Sequence, residues 1–177
     1  GRSGCGKGTL LNMIGLIDKM TAETYILDGR DISELKPGEY ATIRNRDIGF
    51  IFQAFHLLQD ESVLYNVELP MKYAGVDKVG RKEKAVSLLD IVGLAGKEKC
   101  KALQLSGGEM QRVAIARALA SSPKYILADE PTGSLDIENR DKIMELLKSI
   151  NKEQGSTIIM VTHDMELLKY ASRVISL

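Results

Sequence analysis

The chain lacks any surplus of charge. Lys+Arg and Asp+Glu each total 24 in 177 residues. Nucleic-acid binders usually carry a basic excess, so that partner class is not expected. Cysteine is scarce too. Cys5 and Cys100 are the only two, and neither stands close in sequence to the other, to His56 or to His163. That spacing argues against a zinc site and a disulfide framework, and a reducing cytosol is the expected compartment. No apolar run approaches the roughly 20 residues that span a bilayer, and no signal peptide is read at the start. If the protein serves a membrane process, another chain crosses the membrane. Internal repeats and low-complexity segments are also missing. What remains is an ordinary globular mix, 44% hydrophobic and 27% charged, long enough for one sizeable core.

Periodicity then organises the chain. Leu10, Leu11, Met13, Ile14 and Ile17 fall at helical spacing over residues 7–17. Residues 24–28 read as a short strand closed by the turn pair Asp28-Gly29. Pro37 starts a polar helix to about residue 46, and IGFIF (48–52) suits a buried strand. Residues 54–104 carry mostly helical signals, at 62–74 and 80–93, with Gly93 and Gly96 marking a helix exit. Alternation resumes after 105: helix 107–121, strand 124–128, helix 137–152, strand 157–161, short helix 164–171 and strand 173–177. Strands alternating with helices predict a mainly parallel α/β sheet covered on both faces.

Three stretches point to chemistry. GRSGCGKGT fits a phosphate-binding loop. Gly1, Gly4 and Gly6 let backbone N–H groups turn inward, Lys7 adds a charge, and the following helix presents its positive end. The bland alternative is a Gly-rich helix entry with an incidental lysine. KYILADEP delivers Asp129 and Glu130 from the end of an apolar strand, where open α/β sheets place ligand chemistry. Asp129 suits Mg²⁺, and Glu130 suits the polarising of a water; a solvated loop edge is the competing reading. LSGGEMQR places Ser106, Gly107 and Gly108 at the start of an amphipathic helix, a second anion-ready end or a plain cap. A nucleotide clamped between two copies of the chain would explain both helix ends.

These segments together resemble the ATP-binding cassette (ABC) ATPases. LSGGEMQR resembles the signature motif and GRSGCGKGT the Walker A loop. IGFIFQ, with Gln53, resembles the Q-loop, and YILADEP resembles Walker B with its catalytic glutamate. TGSLD, ending at Asp136, resembles the D-loop, and VTHD, with His163, the switch-histidine motif. The resemblance implies a RecA-like P-loop NTPase core, residues 1–53 and 105–177, with a helical subdomain at 54–104. It implies that Gly1, Arg2, Ser3, Gly4, Cys5, Gly6, Lys7, Gly8 and Thr9 cradle the phosphates of ATP. Asp129 and Gln53 would serve Mg²⁺, with Glu130, His163 and Gln53 catalytic. Ser106, Gly107, Gly108 and Asp136 would reach the nucleotide of the opposite subunit in a head-to-tail homodimer or a pairing with a second cassette. IGFIFQAFHLL, SVLYNVELPMKYAG and ADEPTGSLD are similar to bacterial cassettes of lipoprotein release and of macrolide or antimicrobial-peptide export. The implied partner is a membrane permease, with the chain on the cytoplasmic face of the membrane.

Two features depart from the family. Gly8 stands where the loop usually carries a metal-binding serine, and Thr9 lies about 100° further round the helix. GCGKGT also resembles the loop of adenylate kinases, which work with glycine there. That gives a rival reading, a nucleoside monophosphate kinase, which leaves LSGGE, the Q-loop and VTHD unexplained. The second departure is that the strand and the adenine-stacking aromatic expected before the loop are missing. The expectation is therefore an N-terminally truncated cassette with its first strands missing, and an inert fragment is the alternative reading.

Overall fold

The computed structural model describes residues 6–18 and 24–176. Its centre is a parallel sheet in the order β3 (Ile48–Phe52), β4 (Tyr125–Asp129), β5 (Thr157–Val161). The pairing starts with Ile48 opposite Tyr125 opposite Thr157 and ends with Phe52 opposite Asp129 opposite Val161. All three strands therefore finish level.

Side-chain alternation sorts these strands onto two helix layers. Ile51, Ile126, Ala128, Ile158 and Met160 face a large core built with α3 (Val63–Tyr73), α4 (Lys78–Ile91), α5 (Gly107–Leu119) and α6 (Ile137–Gln154). Ile48, Phe50, Leu127, Ile159 and Val161 face a smaller core with α1 (Lys7–Ile14), α2 (Pro37–Asp47) and a small hairpin. This is the parallel α/β sheet, covered on both faces, that the alternation of strands and helices predicts. The helices at 62–74 and 80–93 form as α3 and α4. Each starts at a side-chain cap: Ser62 accepts from Tyr65 N–H, and Asp77 accepts from Val79 and Gly80 N–H. Gly93 and Gly96, at φ 71° and 85°, follow α4 as the sequence implied.

The hairpin replaces the single strand expected at 24–28. Ile26–Leu27 (β1) pairs antiparallel with Arg30–Asp31 (β2). Asp28 and Gly29 both hold positive φ, 51° and 76°, as a two-residue hairpin turn requires. Asp28 also anchors the hairpin to the sheet, accepting from Lys124 Nζ at 2.6 Å and from the Tyr125 hydroxyl.

Two boundaries move for physical reasons. The first helix stops at Ile14 instead of continuing to residue 17. Leu16, at φ 59°, takes the left-handed position usually given to glycine. Leu16 N–H donates to Met13 O at 3.1 Å and Ile17 N–H to Asn12 O at 2.9 Å, closing a Schellman motif. Gly15 is spent elsewhere, because a Cβ there would stand 2.2 Å from Phe50 Cζ. The strand expected at 173–177 is absent among the described residues. Residues 171–176 are exposed, and none of them joins a strand ladder. An apolar pattern makes a strand only where a neighbour completes its ladder. Residues 165–170, expected to be helical, form a 3₁₀ turn.

Candidate functional site

The level strand ends place the site. The residues that leave β3, β4 and β5 at the same edge are Gln53, Glu130 and the pair Thr162-His163. The helix α1 packs against β4 and β5 and brings its N-terminus to this edge. Gly6 caps it at φ 87° and Lys7 is its first residue. A Cβ added at Gly8 would stand 3.8 Å from Asp129 Oδ2. Thr9, by contrast, is exposed. The remaining loop positions, Gly1 to Cys5, lie outside the described residues.

Asp129 is half-buried at the end of β4. Burial raises its pKa above the ordinary carboxylate range, the neighbouring Glu130 pushes the same way, and Lys7 opposes them. Glu130 turns sharply, at φ 44°. Its N–H donates to Val161 O at 3.0 Å. Its carboxylate leans onto the end of β5. Oε2 accepts from the Thr162 hydroxyl at 3.1 Å, and Oε1 accepts from His163 N–H at 2.9 Å. The His163 ring closes the cluster with Nδ1 at 2.7 Å from Oε1. An ionised carboxylate only accepts, so Nδ1 carries the proton in this contact. The Glu130 side chain is 16% exposed and that of His163 66%, so the histidine faces solvent and the carboxylate sits beneath it.

Gln53 does not bond to either carboxylate. It packs over the turn that follows Glu130, where a Cβ on Gly133 would stand 2.9 Å from Gln53 Nε2 and 3.4 Å from Glu130 O. The chain beyond it is held in an unusual shape. Phe55 and His56 are both left-handed, at φ 57° and 48°. Arg117 of α5 holds them there, donating from Nη2 to Phe55 O at 2.7 Å and from Nη1 to His56 O. Burial pushes the Arg117 pKa down. A groove of about 1220 Å³ opens beside this loop, lined in part by Phe52, His56, Pro70, Tyr73 and Arg117.

A second cluster surrounds the start of α5. Ser106 caps the helix and Glu109 returns the bond in a capping box. Gly108 is buried so closely against α6 that a Cβ would stand 2.7 Å from Asn139 Oδ1. Asn139 is in turn held by Asp136, which accepts from its N–H at 2.9 Å and its side-chain amide at 2.8 Å. The structure thus gathers the sequence-selected residues into two groups. Gly8, Asp129, Glu130, His163 and Gln53 form one. Ser106, Gly107, Gly108 and Asp136 form the other.

Some contributors escaped the sequence reading. Thr162 sits inside VTHD, yet only the structure shows its hydroxyl donating to Glu130 and accepting from Asp164 N–H at 3.0 Å. Arg140 of α6 braces the same loop, reaching Asp164 at 3.1 Å and Glu166 at 2.8 Å. Arg117 and Asn139 belong with them. The only available signal was polar residues on otherwise apolar helix faces, too common to single these out.

The donor set limits what metal could bind. Among the described residues no group of three or more His, Cys, Asp or Glu could hold an ion. One half-buried carboxylate facing a phosphate-ready helix end fits Mg²⁺, which keeps its water and shares phosphate oxygens. It does not fit a metal that needs an all-protein cage.

Comparison with known proteins places this arrangement. The sequence model of the ABC transporter family matches residues 1–133. The chain is 50% identical over 175 residues to the uncharacterized ABC transporter ATP-binding protein YvrO of Bacillus subtilis, covering 99% of this chain and 76% of that protein. It is 46% identical over 177 residues to the macrolide export ATP-binding/permease protein MacB of Escherichia coli, covering all of this chain and 27% of that protein. It superposes on the dimeric ABC transporter cassette MJ0796 with a TM-score of 0.85 at 43% identity, covering 96% of this chain and 75% of that one. A second dimeric structure of MJ0796, in a post-hydrolysis state bound to ADP and Pi, matches with a TM-score of 0.85 at 42% identity.

Proposed function

The chain belongs to the ABC transporter family of ATP-binding cassettes, and from that membership we propose that it binds Mg-ATP between two cassettes and hydrolyses it to drive a membrane permease. The observation that carries the reading is the shared level of Phe52, Asp129 and Val161. It sets Gln53, Glu130 and His163 along one edge, beside the α1 N-terminus.

Each residue then has a role. Lys7 and the α1 amides hold the β- and γ-phosphates. Mg²⁺, when bound, neutralises phosphate charge; Asp129 and Gln53 would hold it. Glu130 accepts a hydrogen bond from the attacking water and polarises it. Water attacks phosphorus in line, the bond to the bridging oxygen breaks, and ADP leaves with phosphate. His163 faces the γ-phosphate and keeps Glu130 aimed through its N–H and Nδ1. Ser106, Gly107 and Gly108 receive the nucleotide bound by the partner cassette, and Asp136 with Asn139 fixes the turn behind them. The structures of MJ0796 are dimeric, which supports the shared site.

The permease reading rests on the relatives and on one surface. MacB joins its ATP-binding part to a permease in one protein. Among the described residues no helix is long and apolar enough to cross a membrane, so the spanning part lies in other residues or another chain. The groove beside His56 and Tyr73 gives such a part a place to press on the Gln53 loop. In this division residues 54–104 act as a helical subdomain that carries the groove's far wall. Export is the transport class that the MacB likeness supports; the sequence resemblance adds extraction of a lipid or lipoprotein as the alternative, in either case with the cassette on the cytoplasmic face.

The test is phosphate release from Mg-ATP. Turnover that needs Glu130 and produces no AMP-dependent ADP supports the reading. ADP formation that requires AMP would replace it with a nucleoside monophosphate kinase.

A further inference from the structure

The anion-ready end of α5 contains a contradiction. Its first-turn amides, at Gly107 and Gly108, have no partner within the helix because of their position. They suit an incoming phosphate. Yet the residue at the third position of the same turn is an acid. Glu109 Oε2 accepts from Ser106 N–H at 2.9 Å and from the Ser106 hydroxyl at 3.0 Å. A carboxylate there stabilises the isolated helix, but it also repels a second anion arriving at the same turn.

Lys97 meets that charge. Its ammonium pairs with Glu109 Oε1, the oxygen that Ser106 does not use. The pairing comes from a fixed loop and not a loose arm. Lys97 N–H donates to Leu94 O at 3.1 Å, and Cys100 N–H donates to Lys97 O at 3.1 Å. The same loop is stitched to α3 by Leu64 N–H on Glu98 O at 3.1 Å and Val63 N–H on Cys100 O at 2.8 Å. The Glu109 carboxyl is accordingly held down to about 2, first by Lys97 and then by Ser106. It stays charged, and so does its need for a partner.

We infer that Lys97 is a positioning residue for the nucleotide-bound dimer. By holding Glu109 Oε1 it cancels the acid's charge at the α5 N-terminus and keeps the Ser106 cap in the shape that admits the partner's phosphate. This rests on the proposed role of Ser106, Gly107 and Gly108 in receiving that nucleotide. Lys97 touches no phosphate in this scheme and acts through Glu109.

The experiment uses the full chain carrying Glu130→Gln, with ATP-dependent dimerisation followed by sedimentation and nucleotide binding to the monomer followed with a fluorescent ATP analogue. Lys97→Met should raise the ATP concentration needed for half-maximal dimer by about tenfold while leaving monomer binding unchanged. Adding Glu109→Gln to Lys97→Met removes the unpaired charge but keeps a cap acceptor, and should restore the dimer. A plain loss of packing would not be rescued this way. Ser106→Asp keeps the helix cap but adds charge at the phosphate position, and should block the dimer. If Lys97→Met has no effect, or Glu109→Gln does not rescue it, while Ser106→Asp blocks assembly, Lys97 has no such role and the site reading stands. If Ser106→Asp assembles normally, or no ATP-dependent dimer forms in the parent, the site reading and the inference fall together.

Discussion

The strand-end cluster around Glu130 and the helix-end cluster around Ser106 are built by opposite means. Glu130, His163 and Gln53 come from three segments more than 30 residues apart, and parallel register brings them together. Ser106, Gly107, Gly108 and Glu109 are consecutive, and their geometry is a local capping box. The first cluster depends on the whole sheet, so it exists only in the folded chain. The second depends on one helix turn, with Lys97 and Asn139 as distant supports. The difference predicts that chemistry should fail at the strand ends without loss of fold, and that the helix end should respond mainly through stability and assembly.

The sharpest break is Glu130→Gln. Hydrolysis should fall by about 10²–10⁴-fold, roughly 3–5 kcal/mol of barrier, with thermal unfolding unchanged and an ATP-bound dimer accumulating. An unaltered phosphate-release rate removes Glu130 from its role. Arg117→Ala comes next and blurs the comparison, because Arg117 runs from the signature helix to the Gln53 loop. Leaving the Phe55 and His56 carbonyls without their donor should cost about 2–4 kcal/mol in denaturant unfolding and lower turnover as well. A stability change under 0.5 kcal/mol would show that the left-handed pair needs no clamp.

Glu109 gives a pH handle on the helix end. Its folded pKa, about 2, lies well below the ordinary range of a free glutamate. A depressed acid contributes stability that is complete above the unfolded value and lost as pH falls toward the folded one. Roughly 1–2 kcal/mol should disappear between pH 5 and 2, after allowance for the solvent around Lys97. Glu109→Gln should flatten that part of the acid unfolding curve, and an unchanged curve would count against the pair. Ser106→Ala removes the cap acceptor and should cost about 1 kcal/mol, with nucleotide binding to the isolated monomer intact. Gly8→Ser is the smallest. A hydroxyl carried on a Cβ 3.8 Å from Asp129 Oδ2 should raise turnover or Mg²⁺ affinity by less than about tenfold. Reduced turnover in a folded Gly8→Ser protein would mean that glycine is adapted to its place.

The sequence made the three-layer α/β fold and the identity of the motifs legible, because both write themselves in local patterns. IGFIF, YILAD and TIIMV announce buried parallel strands, and capping residues announce α3 to α6. Other features are joint properties of distant residues. Gly15 loses its capping role to Phe50, 35 positions away. The exposed run at 173–176 has a strand-like pattern but pairs with no strand among the described residues. Glu130 was legible as an acid, whereas its three bonds to Thr162 and His163 needed β5 in register. Arg117 and Lys97 carry no motif, since a basic residue on a helix or loop is ordinarily just solvated.

The level finish of β3, β4 and β5 has a consequence for how such a site can change. Neighbouring strands stand about 4.7–4.9 Å apart, so the positions just past Phe52, Asp129 and Val161 are spaced by backbone pairing alone. The Thr162 hydroxyl steadies the Glu130 carboxylate, but the spacing of the anchor points themselves owes nothing to the side chains. A lineage could exchange the residue at any one position and inherit the same grid of anchor points. The sheet edge acts as a ruler, and the chemistry is what happens to be mounted on its marks.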